Sequence, residues 1–259
     1  MKAAALRRLL RPYRLTPLTP IETRLLTLVC SGIELDSGER VFVKILNSGI
    51  AGVRRNFLRE IDLLKALADW PGVPRLLVSA TGPELVFHAC ESVDGKSFDA
   101  LAQAPEGRDL AVIMHHTGLL ACWVRDLHRL GIAHRDLSPN HVFVRRDGSL
   151  AVVDFGMAKS MLRLSPAERQ LCEGYDLQAF GMILWEMICG RPLFPYRDPR
   201  LADVIQAEMV LIREAGLPLR VTTLLMACLS ARSELLPEGI AANARFKTAE
   251  ELAAALEPA

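Results

Sequence analysis

The chain has no excess of either charge: 31 Lys+Arg stand against 30 Asp+Glu, a formal net charge of +1. A dedicated nucleic-acid binder would carry a strong basic excess, so nucleic acid is not expected as a partner. Disulfide-like cysteine spacing is also missing. Cys30, Cys90, Cys122, Cys172, Cys189 and Cys228 are scattered, with no C-x-x-C pair. They read as reduced thiols in or near a core and point to a cytoplasmic location. No apolar run is long enough to span a bilayer; the longest, Ala179 to Cys189, contains Glu186 and reads as a buried helix. Glycine is absent before Gly32, and there is no low-complexity tract or internal repeat.

The 259 residues can bury a full core, as one two-lobed domain or two small ones. Lys2, Arg7, Arg8, Arg11 and Arg14 occur in the first twenty residues with no acid. This pattern predicts a short basic amphipathic helix, an arm over residues 1–20 leading into a domain over 21–259; a targeting or membrane-surface segment is the alternative.

Leu25 to Leu35 and Arg40 to Leu46 are rich in β-formers and flank Asp36-Ser37-Gly38-Glu39, which predicts an antiparallel hairpin. Lys44 lies in its second strand. From Arg54 to Leu67, Phe57, Leu58, Ile61, Leu64 and Leu67 recur at helical spacing, and Glu60 sits within that helix. Pro71, Gly72 and Pro74 end it. A second strand pair, Arg75 to Ala80 and Glu84 to Ala89, follows, and later helical patterns cover Phe98 to Ala102 and Gly118 to Leu130.

His134-Arg135-Asp136-Leu137 is followed, 18 residues after Asp136, by Asp154-Phe155-Gly156. Each acid lies beside a β-type run, Val142-Phe143-Val144 and Ala151-Val152-Val153. Two carboxylates so placed can converge on one phosphoryl-transfer site, Asp136 orienting a substrate hydroxyl and accepting its proton, Asp154 holding a divalent cation against nucleotide phosphates.

In this order, and with Leu127 to Ile132 just upstream, the motifs resemble the catalytic and metal-binding loops of the eukaryotic-type protein kinases, in particular compact bacterial Ser/Thr kinases. The resemblance implies an α+β, two-lobed fold: a small β-rich lobe with one key helix over about 21–90, a hinge over about 90–96, and a larger helical lobe over about 97–259. It implies ATP and Mg²⁺ as cofactors and a protein substrate. Lys44, in Val41-Phe42-Val43-Lys44-Ile45, resembles the strand lysine that grips nucleotide phosphates, and Glu60 the helix glutamate that holds it. Asp176, opening the D-x-x-x-x-G…G-x-P-x-F pattern from Asp176 to Phe194, is carried over as the residue that holds the backbone of the catalytic loop. Arg245 to Leu252 is similar to the last helix of bacterial Ser/Thr kinases, with Thr248 and Glu251 spaced as a capping box.

Three departures stand out. Phosphate-cradling glycines are missing near Glu22 to Leu26, where the family's nucleotide lid should lie. His141 occupies the position of a metal-binding Asn, with Asn140 one residue early; an imidazole suits Mn²⁺ better than Mg²⁺, or it packs without touching metal. The stretch from Gly156 to Asp176 is short. Within it, Ser165-Pro166-Ala167-Glu168 resembles a segment-closing A-P-E, whose Glu in the family pairs with an Arg matching Arg245, yet it is equally a capped helix start. The expected activity is ATP-dependent phosphoryl transfer to a protein hydroxyl, Ser or Thr; the rivals are a pseudokinase scaffold and a small-molecule kinase.

Overall fold

Alternating apolar residues of the N-terminal third build a five-stranded antiparallel sheet in the computed structural model, which describes residues 3–23, 26–104, 109–192, 215–231 and 246–256. The strands are β1 (Leu15–Thr23), β2 (Thr27–Glu34), β3 (Arg40–Leu46), β4 (Leu76–Thr81) and β5 (Val86–Glu91), in the order β1-β2-β3-β5-β4. The predicted hairpin is present as β2 and β3, and the Glu34 carboxylate accepts the N–H groups of Asp36 and Ser37 in its turn. At the sheet edge, β1 carries Pro17 and Pro20 at shifts of register, where a strand tolerates the loss of a ladder donor.

The chain divides into two compact units, Met1–Asp94 with Ala151–Met157, and Gly95–Leu150 with Ala158–Ala259. The first boundary falls inside the expected hinge, but Ala151–Met157, expected in the second lobe, groups with the first. Its ties are to residues far back in the chain: Val152 donates to the carbonyl of Gly72 at 2.7 Å, and Lys44 donates to Asp154. The basic N-terminus forms the short amphipathic helix expected of it, but that helix packs into the first unit. Helix α1 (Ala3–Leu10) sends Leu6 and Leu10, one turn apart, into a core with Leu15, Leu28, Val41, Val43 and Phe87, while Arg7, Arg8 and Arg11 are exposed. Residue 20, the expected arm-to-domain boundary, lies within β1, and the exposed Arg7, Arg8 and Arg11 leave Leu6 and Leu10 free to join the core of the sheet.

Helix α2 (Ala51–Ala66) buries Phe57, Glu60, Ile61 and Leu64, the i, i+3, i+4, i+7 stripe of an amphipathic helix. Phe57 and Ile61 pack on Val86. Glu60 is the one charged member of that stripe.

The second unit is mainly helical. A short strand β6 (Gly95–Ser97) leads into α3 (Phe98–Gln103), capped by Ser97, and α4 (Leu110–Arg129) is capped by Asp109. The latter begins two turns before the Gly118 expected from the pattern. Strands β7 (Ile132–Ala133) and β8 (Val142–Arg145) follow, with β8 paired to β6, and β9 (Leu150–Val152) carries the chain towards the first unit. On return, β10 (Lys159–Ser160) pairs with β7, and Met161 joins Ala133 and Cys172 in one buried cluster.

A single helix, α5 (Pro166–Cys189), runs from the A-P-E-like residues through Asp176 to Gly190. Ser165 and Glu168 form a reciprocal capping box there, so the helix-start reading of this segment holds. Gly181 lets α5 approach α6 (Leu219–Leu229): a Cβ would stand 2.8 Å from that of Cys228. Helix α7 (Ala249–Leu256) closes the described chain, with Thr248 accepting the Glu251 N–H and the Glu251 carboxylate accepting the N–H of Lys247. Leu193, Phe194 and Arg245 lie outside the described residues. Among the described residues no helix is long and apolar enough to cross a membrane.

Candidate functional site

Pairing of β3 with β5 sets Lys44 opposite His88, and Lys44 is 8% exposed. Its Nζ lies 2.9 and 3.0 Å from the two oxygens of Glu60 on α2 and 2.8 Å from Asp154 Oδ1. Burial alone would pull the lysine down. The charges of Glu60 and Asp154 outweigh burial and hold it above its ordinary value. For Glu60, 2% exposed, burial would push the carboxyl up, but contacts with His88 and Lys44 hold it below the usual carboxylate range. The outcome is a charged triad in which one cation is shared by two carboxylates.

Asp154 reaches Lys44 because its backbone turns sharply, with φ 65°, into a 3₁₀ turn over Phe155–Met157. Phe155 is buried, anchoring the turn in the first unit. The next residue must be small: a Cβ on Gly156 would stand 3.1 Å from Asp154 Oδ1, 3.3 Å from Lys44 Nζ and 3.4 Å from Glu60 Oε2. Gly156 also donates its N–H to Asp154 Oδ1 at 3.2 Å.

The second unit holds Asp136. Asp176, wholly buried on α5, accepts the backbone N–H groups of His134 at 2.8 Å and Arg135 at 2.6 Å. This is the role carried over for it from the resemblance. Arg135 adopts φ 64°, and its guanidinium lies over the Tyr175 ring, 5.5 Å from the centroid. The loop is fastened on both sides of Asp136: the Asp136 N–H donates to His134 Nδ1 at 3.3 Å, and its carbonyl accepts from His141 Nδ1 at 2.7 Å. Asp136 itself presents a side chain that is 48% exposed.

Three residues of this apparatus escaped the sequence reading. His128 Nε2 lies 2.8 Å from Asp176 Oδ2; the signal was a histidine on the apolar stripe of α4, with Leu120, Val124 and Leu127. His134 serves by its ring as well as its backbone. His88 lies beside Glu60, and nothing in its strand pattern marks it. Asn140 is exposed in the turn before β8, while His141 is tied into the loop by its bond to the Asp136 carbonyl. The glycine-free turn between β1 and β2 contains residues 24 and 25, which lie outside the described residues.

A family model described as the protein kinase domain matches residues 26–231, and the chain belongs to that family. Among curated proteins it is similar to mitogen-activated protein kinase 13 of Oryza sativa subsp. indica, 27% identical over 203 residues, covering 66% of this chain and 39% of that protein. It is similar to stress-activated protein kinase jnk-1 of Caenorhabditis elegans, 27% identical over 195 residues, covering 66% and 41%. A third relative is mitogen-activated protein kinase HOG1A of Wallemia ichthyophaga, 26% identical over 202 residues, covering 71% and 55%. The chain thus spans from about two fifths to just over half of the length of these relatives.

Proposed function

We propose that the protein transfers the terminal phosphoryl group of ATP to a Ser or Thr hydroxyl of a protein substrate. One observation carries this reading: Lys44 is held by Glu60 at 2.9 Å, the pairing that fixes a nucleotide-gripping lysine. Lys44 then binds nucleotide phosphate, and Asp136 orients the acceptor hydroxyl and takes its proton as the new P–O bond forms and the bond to the leaving diphosphate breaks. The mitogen-activated protein kinases among the relatives support a protein acceptor. Cysteines that remain thiols support a reducing, cytoplasmic compartment.

Asp154 and His141 are the residues that would hold a divalent cation. Their chemistry fits: the carboxylate of Asp154 suits Mg²⁺, and the Nδ1 of His141, spent on the Asp136 carbonyl, leaves the lone pair of the neutral ring on Nε2, the arrangement usual for a ligating imidazole. When bound, the cation supplies neutralisation of phosphate charge, and the nitrogen donor favours Mn²⁺ over Mg²⁺. A nucleotide-binding and autophosphorylation assay with Mg²⁺ and Mn²⁺ side by side tests the proposal; nucleotide binding without phosphate transfer in either metal would support the pseudokinase alternative.

A second reading rests on α5, which starts at Pro166, ten residues after Gly156. So short a segment offers little platform for an extended peptide and supports a compact or small-molecule acceptor. Labelled phosphate appearing on small hydroxyl compounds but on no protein would favour it.

A further inference from the structure

His88, on β5, is 3% exposed, and its two ring nitrogens meet different partners. Nδ1 is 3.6 Å from the sulfur of Cys90, and Nε2 is 3.5 Å from Glu60 Oε1. Phe57 lies against the imidazole with ring centroids 5.4 Å apart, which restricts its rotation. Burial, aided by the charges of Glu60 and Glu91, pushes the Cys90 thiol up to about 12, so the sulfur carries a proton to donate. A thiol donating to Nδ1 leaves the ring proton on Nε2, beside the carboxylate. At 3.5 Å that contact is a charge–dipole interaction at the outer limit of hydrogen bonding, and Nε2 makes no other hydrogen bond among the described residues.

Lys44 meets Glu60 as a point charge, about which a carboxylate can still swing. A second contact from a different strand removes that freedom. We propose that His88 is a positioning residue for nucleotide binding: its Nε2–H, held in that tautomer by Cys90, steadies Glu60 and through it Lys44. This inference rests on the reading that the Lys44–Glu60 pair grips nucleotide.

The experiment measures the dissociation constant of ADP, with Mg²⁺ and with Mn²⁺, for the full chain and for His88→Leu, His88→Gln, Glu60→Gln and the His88→Leu/Glu60→Gln double variant, each checked by thermal melting. His88→Leu should weaken binding roughly three- to tenfold, the range expected for loss of one ordinary hydrogen bond, as suits a contact this long. His88→Gln, which keeps a donor near the Nε2 position, should recover most of it, and His88→Leu should have no further effect once Glu60 is Gln. A lowered melting temperature with unchanged ADP affinity, equal losses in the Leu and Gln variants, or the same loss in the Glu60→Gln background would overturn the proposal. If Glu60→Gln itself leaves affinity unchanged, the underlying nucleotide reading has failed instead. Should His88→Leu not fold, the nitrogen NMR signature of the wild-type His88 ring decides: a proton on Nε2 alone is expected, and a proton on Nδ1 overturns it.

Discussion

Asp176 Oδ2 lies 2.8 Å from His128 Nε2, and the same oxygen accepts the backbone N–H of His134. With the Arg135 N–H on Oδ1, one buried carboxylate serves three donors from two segments. Such groups are expensive to leave unmatched, because each buried donor deprived of its acceptor costs about 1–3 kcal/mol. Asp176→Ala should therefore destabilise the second unit by about 3–5 kcal/mol, and Asp176→Asn, which keeps one acceptor oxygen, by less. Urea unfolding checks this; an alanine variant within about 0.5 kcal/mol of wild type would contradict the clamp.

The Lys44–Glu60 pair has a definite pH signature. Lys44 is raised above its unfolded value near ~10.4, so its contribution is complete below that pH and is lost as pH rises through the raised folded value. Glu60 is lowered below its unfolded value near ~4.3, so its contribution is complete above that pH and is lost as pH falls through the lowered folded value. Stability due to the pair is flat from about pH 5 to about pH 10. Glu60→Gln should lower that plateau and flatten the acid side; matching acid slopes for wild type and variant in unfolding titrations would refute the assignment.

Asp136 and Asp154 should fail differently. Asp136→Asn should abolish phosphoryl transfer, by roughly 10²-fold or more, while nucleotide affinity and fold stay near wild type, since a general base contributes mainly to the chemical step. Asp154→Asn should weaken metal-dependent nucleotide binding and loosen Lys44, its partner at 2.8 Å. Isothermal titration with ADP and each metal separates the two. Equal phosphate incorporation by wild type and Asp136→Asn would remove Asp136 from the catalytic role.

His141→Asn should exchange a nitrogen donor for an oxygen and shift preference towards Mg²⁺. It should also loosen the loop modestly, because the bond from Nδ1 to the Asp136 carbonyl is lost. Initial rates, or ADP affinities, against Mg²⁺ and Mn²⁺ concentration give the readout. Unchanged metal preference in the variant would show that the imidazole does not meet the ion.

Much of the site was legible in the chain because it consists of charged residues in short motifs whose roles follow from chemistry at fixed local spacing. Asp136, Asp154 and Gly156 belong to such motifs, and Glu60 could be found as an acid on an otherwise apolar stripe. The hairpin around Asp36 to Glu39, the helix over α2 and the capping box of Ser165 were equally local, set by turn residues, periodicity and reciprocal hydrogen bonds. The sequence by itself determined these elements and the charges they carry. The resemblance implied that Glu60 holds Lys44 and that Asp176 holds the catalytic loop; only the tertiary structure decided what else meets them: that Asp154 shares Lys44, that His128 reaches Asp176 across 48 positions, and that His88 stands between Glu60 and Cys90. It also decided that Leu6 and Leu10 are core and that α5 is continuous from Pro166 to Cys189. Burial and long-range pairing depend on what packs against a residue, and one strand or helix contains no record of its neighbour.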